Sequence, residues 1–243
     1  MNVIYEPKGK AREYAELAIN LYKGCEHRCR YCYGARGPYI PADRYYGSAS
    51  PKAHVIERLK KDCNKLNGQC PEILLSFLGD VYQPAEMELC LTRQTIEMLI
   101  KHNLPFTILT KGGTRAARDF DLLASYPKAR FGTTLIFLNQ GDAEHWEPGA
   151  ASITDRVEAI RQAHERGIKT WISLEPVIDP AQALQIVREL YPIVDHWKVG
   201  KINYHHNIER AVDWAGFRLA VTALLDSLGA DYYLKRSLYK YDS

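Results

Sequence analysis

Six short apolar runs, each trailed by a longer segment of helical period, constrain this chain more than any other feature. The runs are Ala18–Tyr22, Glu72–Phe77, Phe106–Thr110, Phe131–Phe137, Lys169–Leu174 and Val194–Val199. In Ser152–Arg166, Ile153, Val157, Ile160 and His164 recur at intervals of four and three, and Ser152 with Asp155 resembles a capping box. Val212, Ala215, Leu219 and Ala223 share one face in Glu209–Leu228, as do Leu184, Val187 and Leu190 before the sixth run. Strands alternating with helices imply parallel pairing through right-handed crossovers. A run such as Ile73-Leu74-Leu75 suits a strand buried on both faces. The expected class is therefore α/β. Six units fall short of a closed eight-stranded barrel, which predicts a partial (β/α)6 TIM-like barrel of parallel strands with outer helices. A doubly wound sheet is the alternative that periodicity leaves open. With no internal repeat, low-complexity tract or linker, the 243 residues read as one domain. Around its core lie an N-terminal extension (1–17), a cysteine-bearing loop (24–33) and a C-terminal tail (229–243).

Composition narrows the setting. Hydrophobic residues at 46% and charged residues at 25% are ordinary for a globular protein. No apolar run has membrane-spanning length, and Met1-Asn2-Val3-Ile4-Tyr5-Glu6 lacks the design of a signal peptide. Clustered thiols without a secretory signal point to a reducing, cytoplasmic compartment and no membrane partner. A net charge of +3 does not by itself argue for nucleic acid, but it leaves room for a local basic groove.

Chemistry is concentrated in Gly24-Cys25-Glu26-His27-Arg28-Cys29-Arg30-Tyr31-Cys32-Tyr33, where three cysteines stand at C-x3-C-x2-C. Three thiolates on one short loop can hold three irons of a [4Fe–4S] cluster and leave the fourth without a protein ligand. An open iron is a place for an outside molecule to bind and receive an electron. The competing reading is zinc, with His27 completing a Cys3His set. Against it, no second cysteine pair follows, and a loop this tight would struggle to bring His27 and all three thiols to one tetrahedral centre. Cys63, Cys70 and Cys90 read as ordinary buried or half-buried thiols.

The cysteine loop follows the first run, at the carboxyl end of a strand, where such folds gather their ligands. Other strands end there in polar residues: Ser76 through Asp80, Thr110-Lys111, Thr133-Thr134, Ser173 with Glu175, and Gly200 through Asn203. Each alone suits a cap or a turn; their shared location is the stronger signal. By alternation, Ser173 and Glu175 point into the same cavity, and at most one of Thr133 and Thr134 does.

On these residues the chain resembles the radical SAM superfamily, whose members share a partial (β/α)6 barrel. Cys25-x3-Cys29-x-Tyr31-Cys32 carries that resemblance. Ala11-Arg12-Glu13-Tyr14, Asp80-x-Tyr82-Gln83-Pro84, Thr110-Lys111, Glu147-Pro148-Gly149-Ala150 and Arg156 are similar to the subgroup of spore photoproduct lyase and the DNA repair photolyase-like proteins. Matches run from about residue 5 to residue 180. The resemblance implies Cys25, Cys29 and Cys32 as cluster ligands and S-adenosylmethionine on the open iron, cleaved by one electron to a 5′-deoxyadenosyl radical. It implies Tyr31 near the adenine, and Gly79 and Asp80 by the methionine amino group. Thr133 or Thr134 and Ser173 would reach the ribose or carboxylate. Lys111 would pair with the methionine carboxylate or a substrate phosphate, and Glu175 is a further cofactor contact. Tyr82 and Asn203 are expected to face substrate. An external electron donor of the flavodoxin or ferredoxin type is implied, with a nucleic acid or nucleotide as substrate.

Departures bear on that substrate. Photoproduct lyases return hydrogen from a cysteine near the end of the second strand; here that region reads Ser76-Phe77-Leu78. A peptide or small metabolite is the alternative substrate, and a non-catalytic zinc or iron–sulfur module the alternative class. Tyr232-Tyr233-Leu234-Lys235-Arg236-Ser237-Leu238-Tyr239-Lys240-Tyr241 suits either a nucleic-acid contact or, in the reading preferred here, a final edge strand whose tyrosines cover the barrel's open side.

Overall fold

The computed structural model describes residues 2–36, 41–47, 49–66, 68 and 70–241. The strands are β1 (Ile4–Tyr5), β2 (Leu17–Ile19), β3 (Tyr22–Lys23), β4 (Ser50–Pro51), β5 (Ile73–Leu75), β6 (Phe106–Thr110), β7 (Ala129–Thr134), β8 (Lys169–Val177), β9 (His196–Lys201) and β10 (Asp231–Leu234). Eight of them form one sheet in the order β1-β2-β5-β6-β7-β8-β9-β10, and β3 pairs with β4 in a separate two-stranded ribbon. Only β1 runs antiparallel to its neighbour; every other pairing in the large sheet is parallel. The sheet is open, with β1 and β10 at its edges. This is the expected α/β architecture of parallel strands with outer helices, without a closed barrel.

The third expected strand coincides with β6, and the others shift at their ends. The first is cut short at Asn20, whose side-chain Oδ1 accepts from the backbone N–H groups of Phe77 and Leu78 at 3.0 and 2.9 Å. These bonds fasten the end of β2 to the segment that follows β5. The tail supplies a strand beyond the expected six: β10 lies parallel to β9, in the register Tyr232↔Trp197. The start of the tail is thus an edge strand, as preferred from its sequence, while Arg236–Tyr241 turns into a 3-10 helix instead.

Alternation sorts the apolar residues into two layers. Ile19, Ile73, Leu75, Phe106, Ile108 and Phe131 join the large core under the helices. Ala18, Leu74 and Trp171, of opposite parity, form a smaller cluster with Tyr14. Gly132 makes room for the indole, since a Cβ there would lie 2.4 Å from Trp171. The helix Ile153–Glu165 is capped by Ser152, which accepts from Asp155 N at 3.2 Å. The expected helix Glu209–Leu228 is two: His206–Ala211 and Trp214–Ser227. Asp213 breaks it by capping the second, accepting from Gly216 N at 2.9 Å. Among the described residues no helix is long and apolar enough to cross a membrane.

Candidate functional site

A cavity of about 470 Å³ opens at the carboxyl ends of the strands, and Cys25, Cys29 and Cys32 all line it. The loop that carries them is held from three sides. Gly149 N donates to His27 O at 2.9 Å, and Arg30 N to Trp146 O at 2.8 Å. Gly149 is pressed so close that a Cβ would come within 2.1 Å of Glu26 O. Below the loop, Glu26 N donates to Gln83 Oε1 at 3.0 Å, and Ala85 N to Glu26 Oε2 at 2.8 Å. Tyr31 Oη donates to Glu147, which is itself buried and paired with the buried Arg156 at 2.6 Å. A buried pair of this kind braces the loop provided both partners stay, because either charge alone would be stranded in the core.

Burial pushes the Cys25 thiol up to about 11, and the Asp80 charge adds to it, although backbone N–H groups of Asp80 and His27 pull the other way. Burial raises Cys29 further, against the opposing pull of Lys111. Lys111 lies in the cavity wall with Nζ 5.6 Å from the Tyr31 ring centroid. Burial alone would lower its pKa, but the Cys29, Glu147 and Asp80 charges raise it. Lys111 therefore stays cationic beside the thiols. His27 is spoken for: Nδ1 lies 3.3 Å from Asp80 and Nε2 3.3 Å from Arg115.

Asp80 lines the cavity, yet its carboxylate is occupied by the protein. It accepts from Thr110 Oγ1 at 2.5 Å, Lys111 N at 2.7 Å and Tyr82 N at 2.8 Å. Burial opposes the charge, but His27 and these donors outweigh it and hold the carboxyl well below the usual carboxylate range. Asp80 thus stays in the cavity wall, where its carboxylate also ties β6 to the cysteine loop. Gly79 sits at φ +72°, where a Cβ would meet Gly24 O at 2.9 Å.

Thr134, Ser173, Glu175 and Asn203 also face the cavity. Ser173 Oγ lies 2.7 Å from Tyr14 Oη, and Glu175 accepts from Lys235 Nζ at 3.0 Å. Two expected residues do not belong. Thr133 is buried outside the cavity lining and donates to Thr110 O at 2.8 Å, as alternation with Thr134 requires. Tyr82 is buried as well; its hydroxyl donates to Asp119 at 3.0 Å, so it is a core residue rather than a substrate contact. Cys90 is exposed, not buried or half-buried.

The family profile described as the Radical SAM superfamily matches residues 19–190. The chain belongs to the radical SAM superfamily. Membership of that superfamily implies an enzyme that uses S-adenosylmethionine and an iron–sulfur cluster. It is 28% identical over 184 residues to an uncharacterized protein of Methanocaldococcus jannaschii, covering 75% of this chain and 69% of that one. Among solved structures, a spore photoproduct lyase mutant with bound S-adenosylmethionine and dinucleoside spore photoproduct is similar at a TM-score of 0.71 and 15% identity, covering 94% of this chain and 78% of that one. Streptococcus suis SuiB bound to S-adenosylmethionine is similar at 0.67 and 12% identity, covering 89% of this chain and 49% of that one. At these identities the two structures speak for a shared fold, and the chain spans about half the length of SuiB.

The radical SAM cavity has a second side that sequence reasoning missed. Lys8, Lys10, Tyr14 and Lys235 line it from the N-terminal segment and the tail. The sequence signals for it were Tyr14 in the Ala11-Arg12-Glu13-Tyr14 motif and the pairing of aromatic and basic residues in the tail. Gly200 on β9 leaves space for the pair of buried Lys235 and half-buried Glu175: a Cβ there would lie 2.8 Å from Glu175 Cδ and 2.9 Å from Lys235 Cδ.

Proposed function

We propose that Cys25, Cys29 and Cys32 hold three irons of a [4Fe–4S] cluster, and that the chain uses S-adenosylmethionine there to act on a nucleic-acid or nucleotide substrate. The observation that carries this reading is the convergence of three thiols from one short loop on a single cavity. The donor set fits the group. Three soft sulfur donors suit iron–sulfur ligation, and N–H groups directed at Cys25 favour its thiolate form. His27, with both ring nitrogens engaged, is no fourth ligand.

Bound there, the cluster and S-adenosylmethionine supply one-electron cleavage of the sulfonium bond and, from it, a 5′-deoxyadenosyl radical that abstracts hydrogen. The chain's part is to position and to exclude water. Lys111 offsets negative charge beside Cys29 and stands in the cavity wall as a cation for a carboxylate. Tyr31, fixed by Glu147 and covered by Lys111, presents an immobile ring for the adenine. Thr134 and Ser173 offer hydroxyls from adjacent strands, while Gly79 brings bare backbone to the wall. Glu175 reaches the cavity paired with Lys235, and so serves as a positioner rather than a free anion. The electron donor is a flavodoxin- or ferredoxin-type protein. Support for a nucleotide substrate comes from the shared fold of a lyase that holds a dinucleoside beside S-adenosylmethionine.

The test is anaerobic reconstitution, reduction and measurement of 5′-deoxyadenosine, with and without single- and double-stranded DNA, RNA and nucleotides. Cys29→Ala is expected to abolish cleavage while circular dichroism reports a retained fold. Turnover surviving in that variant contradicts the ligand set.

A further inference from the structure

Apart from the cysteines, the cavity carries its charge unevenly. On the side built by the ends of β8, β9 and β10, three lysines (Lys8, Lys10 and Lys235) face a single carboxylate, Glu175. That carboxylate is committed to Lys235, which is buried with Nζ 4.8 Å from the Tyr14 ring centroid. Lys10 is oriented rather than neutralised: its Nζ donates to the neutral Asn203 Oδ1 at 2.6 Å. Lys8 and Lys10 are both exposed, so two cations stand at this mouth beyond what Glu175 offsets.

Beside them stands Tyr204, which also lines the cavity and is 63% exposed, the most exposed large hydrophobic residue described. Its backbone sits at φ +66°, a conformation that costs a tyrosine on the order of 1 kcal/mol. The turn is clamped by Arg36, whose Nη1 donates to Tyr204 O at 3.1 Å. Lys10 Nζ lies 5.7 Å from the Tyr204 ring centroid. This aromatic ring is held outward on a braced, strained turn at the cavity mouth, next to Lys8 and Lys10, which have no carboxylate partner among the described residues. Its chemistry matches a planar base carried beside a phosphate.

We infer that this mouth is a phosphate-and-ring subsite, in which Lys8 and Lys10 take the phosphate of a nucleotide and Tyr204 stacks on its base. The inference rests on the substrate reading above and gives it a location. A free nucleotide and a nucleotide within a single strand offer the same chemistry, and the experiment separates them.

Equilibrium dialysis of the purified protein, without reduction or turnover, measures binding of thymidine, thymidine 5′-monophosphate and single-stranded oligothymidylate. Pyrimidines are chosen because they do not mimic the adenosyl group. The monophosphate or the oligonucleotide is expected to bind at least about tenfold more tightly than thymidine. Lys8→Ala with Lys10→Ala is expected to remove that advantage, Tyr204→Leu to weaken binding, and Tyr204→Phe to keep it. Circular dichroism confirms that each variant folds, which the exposure of all three side chains favours. Tight monophosphate binding assigns a free nucleotide; tight binding by the oligonucleotide alone assigns a strand. Equal binding of thymidine and its phosphate, an unaffected double variant, or no binding by any of the three overturns the subsite. Because no S-adenosylmethionine is cleaved in this assay, failure of the subsite and failure of the radical reading appear in separate measurements.

Discussion

Among the described residues Lys198 has no carboxylate at ion-pair distance, and it is buried to 7% exposure beside the smaller core layer. Its Nζ donates to Tyr14 O at 2.5 Å and lies 5.0 and 5.1 Å from the ring centroids of Tyr14 and Trp171. Burial, with Arg130 adding to it, brings its pKa down from 10.5 to about 8. The folded chain thus releases this proton near pH 8, while the unfolded chain keeps it until about 10.5. Between those values the unfolded state binds more protons, so this residue's contribution to stability rises with pH. Lys198→Met removes the titration. The variant's stability relative to the parent is expected to fall by roughly 1–3 kcal/mol from pH 7 to pH 10, measured by urea denaturation at both. A difference that stays flat across that range contradicts a buried, charged lysine. One side chain here governs a pH response without touching the site.

The segment after β5 passes close to the cysteine loop at Gly79. Gly79→Ala places a Cβ 2.9 Å from Gly24 O and 3.0 Å from Tyr22 Cβ, on a backbone at φ +72°. The expected cost is roughly 1–3 kcal/mol, with a reduced iron content after reconstitution as the loop is displaced. Unchanged melting temperature and iron content would mean that this contact positions nothing. Elements of this kind were legible to different degrees. β6 was read to the residue because Phe106–Thr110 is an apolar run between polar segments. The break at Asp213 was not, since Val212, Ala215 and Leu219 keep helical spacing across it while Asp213, by capping Gly216 N, starts a new helix. Alternation placed Ser173 and Glu175 in the cavity. Tyr82 misled because it sits two residues from Asp80; its partner Asp119 lies 37 positions away, beyond any local pattern. Lys8, Lys10 and Lys235 reach the cavity only because the N-terminal segment and β10 meet at the open side, which spacing along the chain does not encode.

At the scale of the whole molecule, an open parallel sheet leaves one polar mouth, and the chain uses its two ends to furnish it. β1 and β10 form the sheet edges. Glu13, from the N-terminal segment, accepts from Arg236 N at 2.8 Å and joins that segment to the tail. The cysteines stand on one side of the resulting cavity and the lysines on the other, a division that suits electron delivery at one place and substrate capture at another. The account depends first on the metal centre. Iron, sulfide and zinc analysis of the anaerobically reconstituted protein tests it most directly. The expected result is about four irons and four sulfides per chain, with cluster binding impaired when Cys25, Cys29 or Cys32 is replaced by alanine; one tightly held zinc and no sulfide would contradict it.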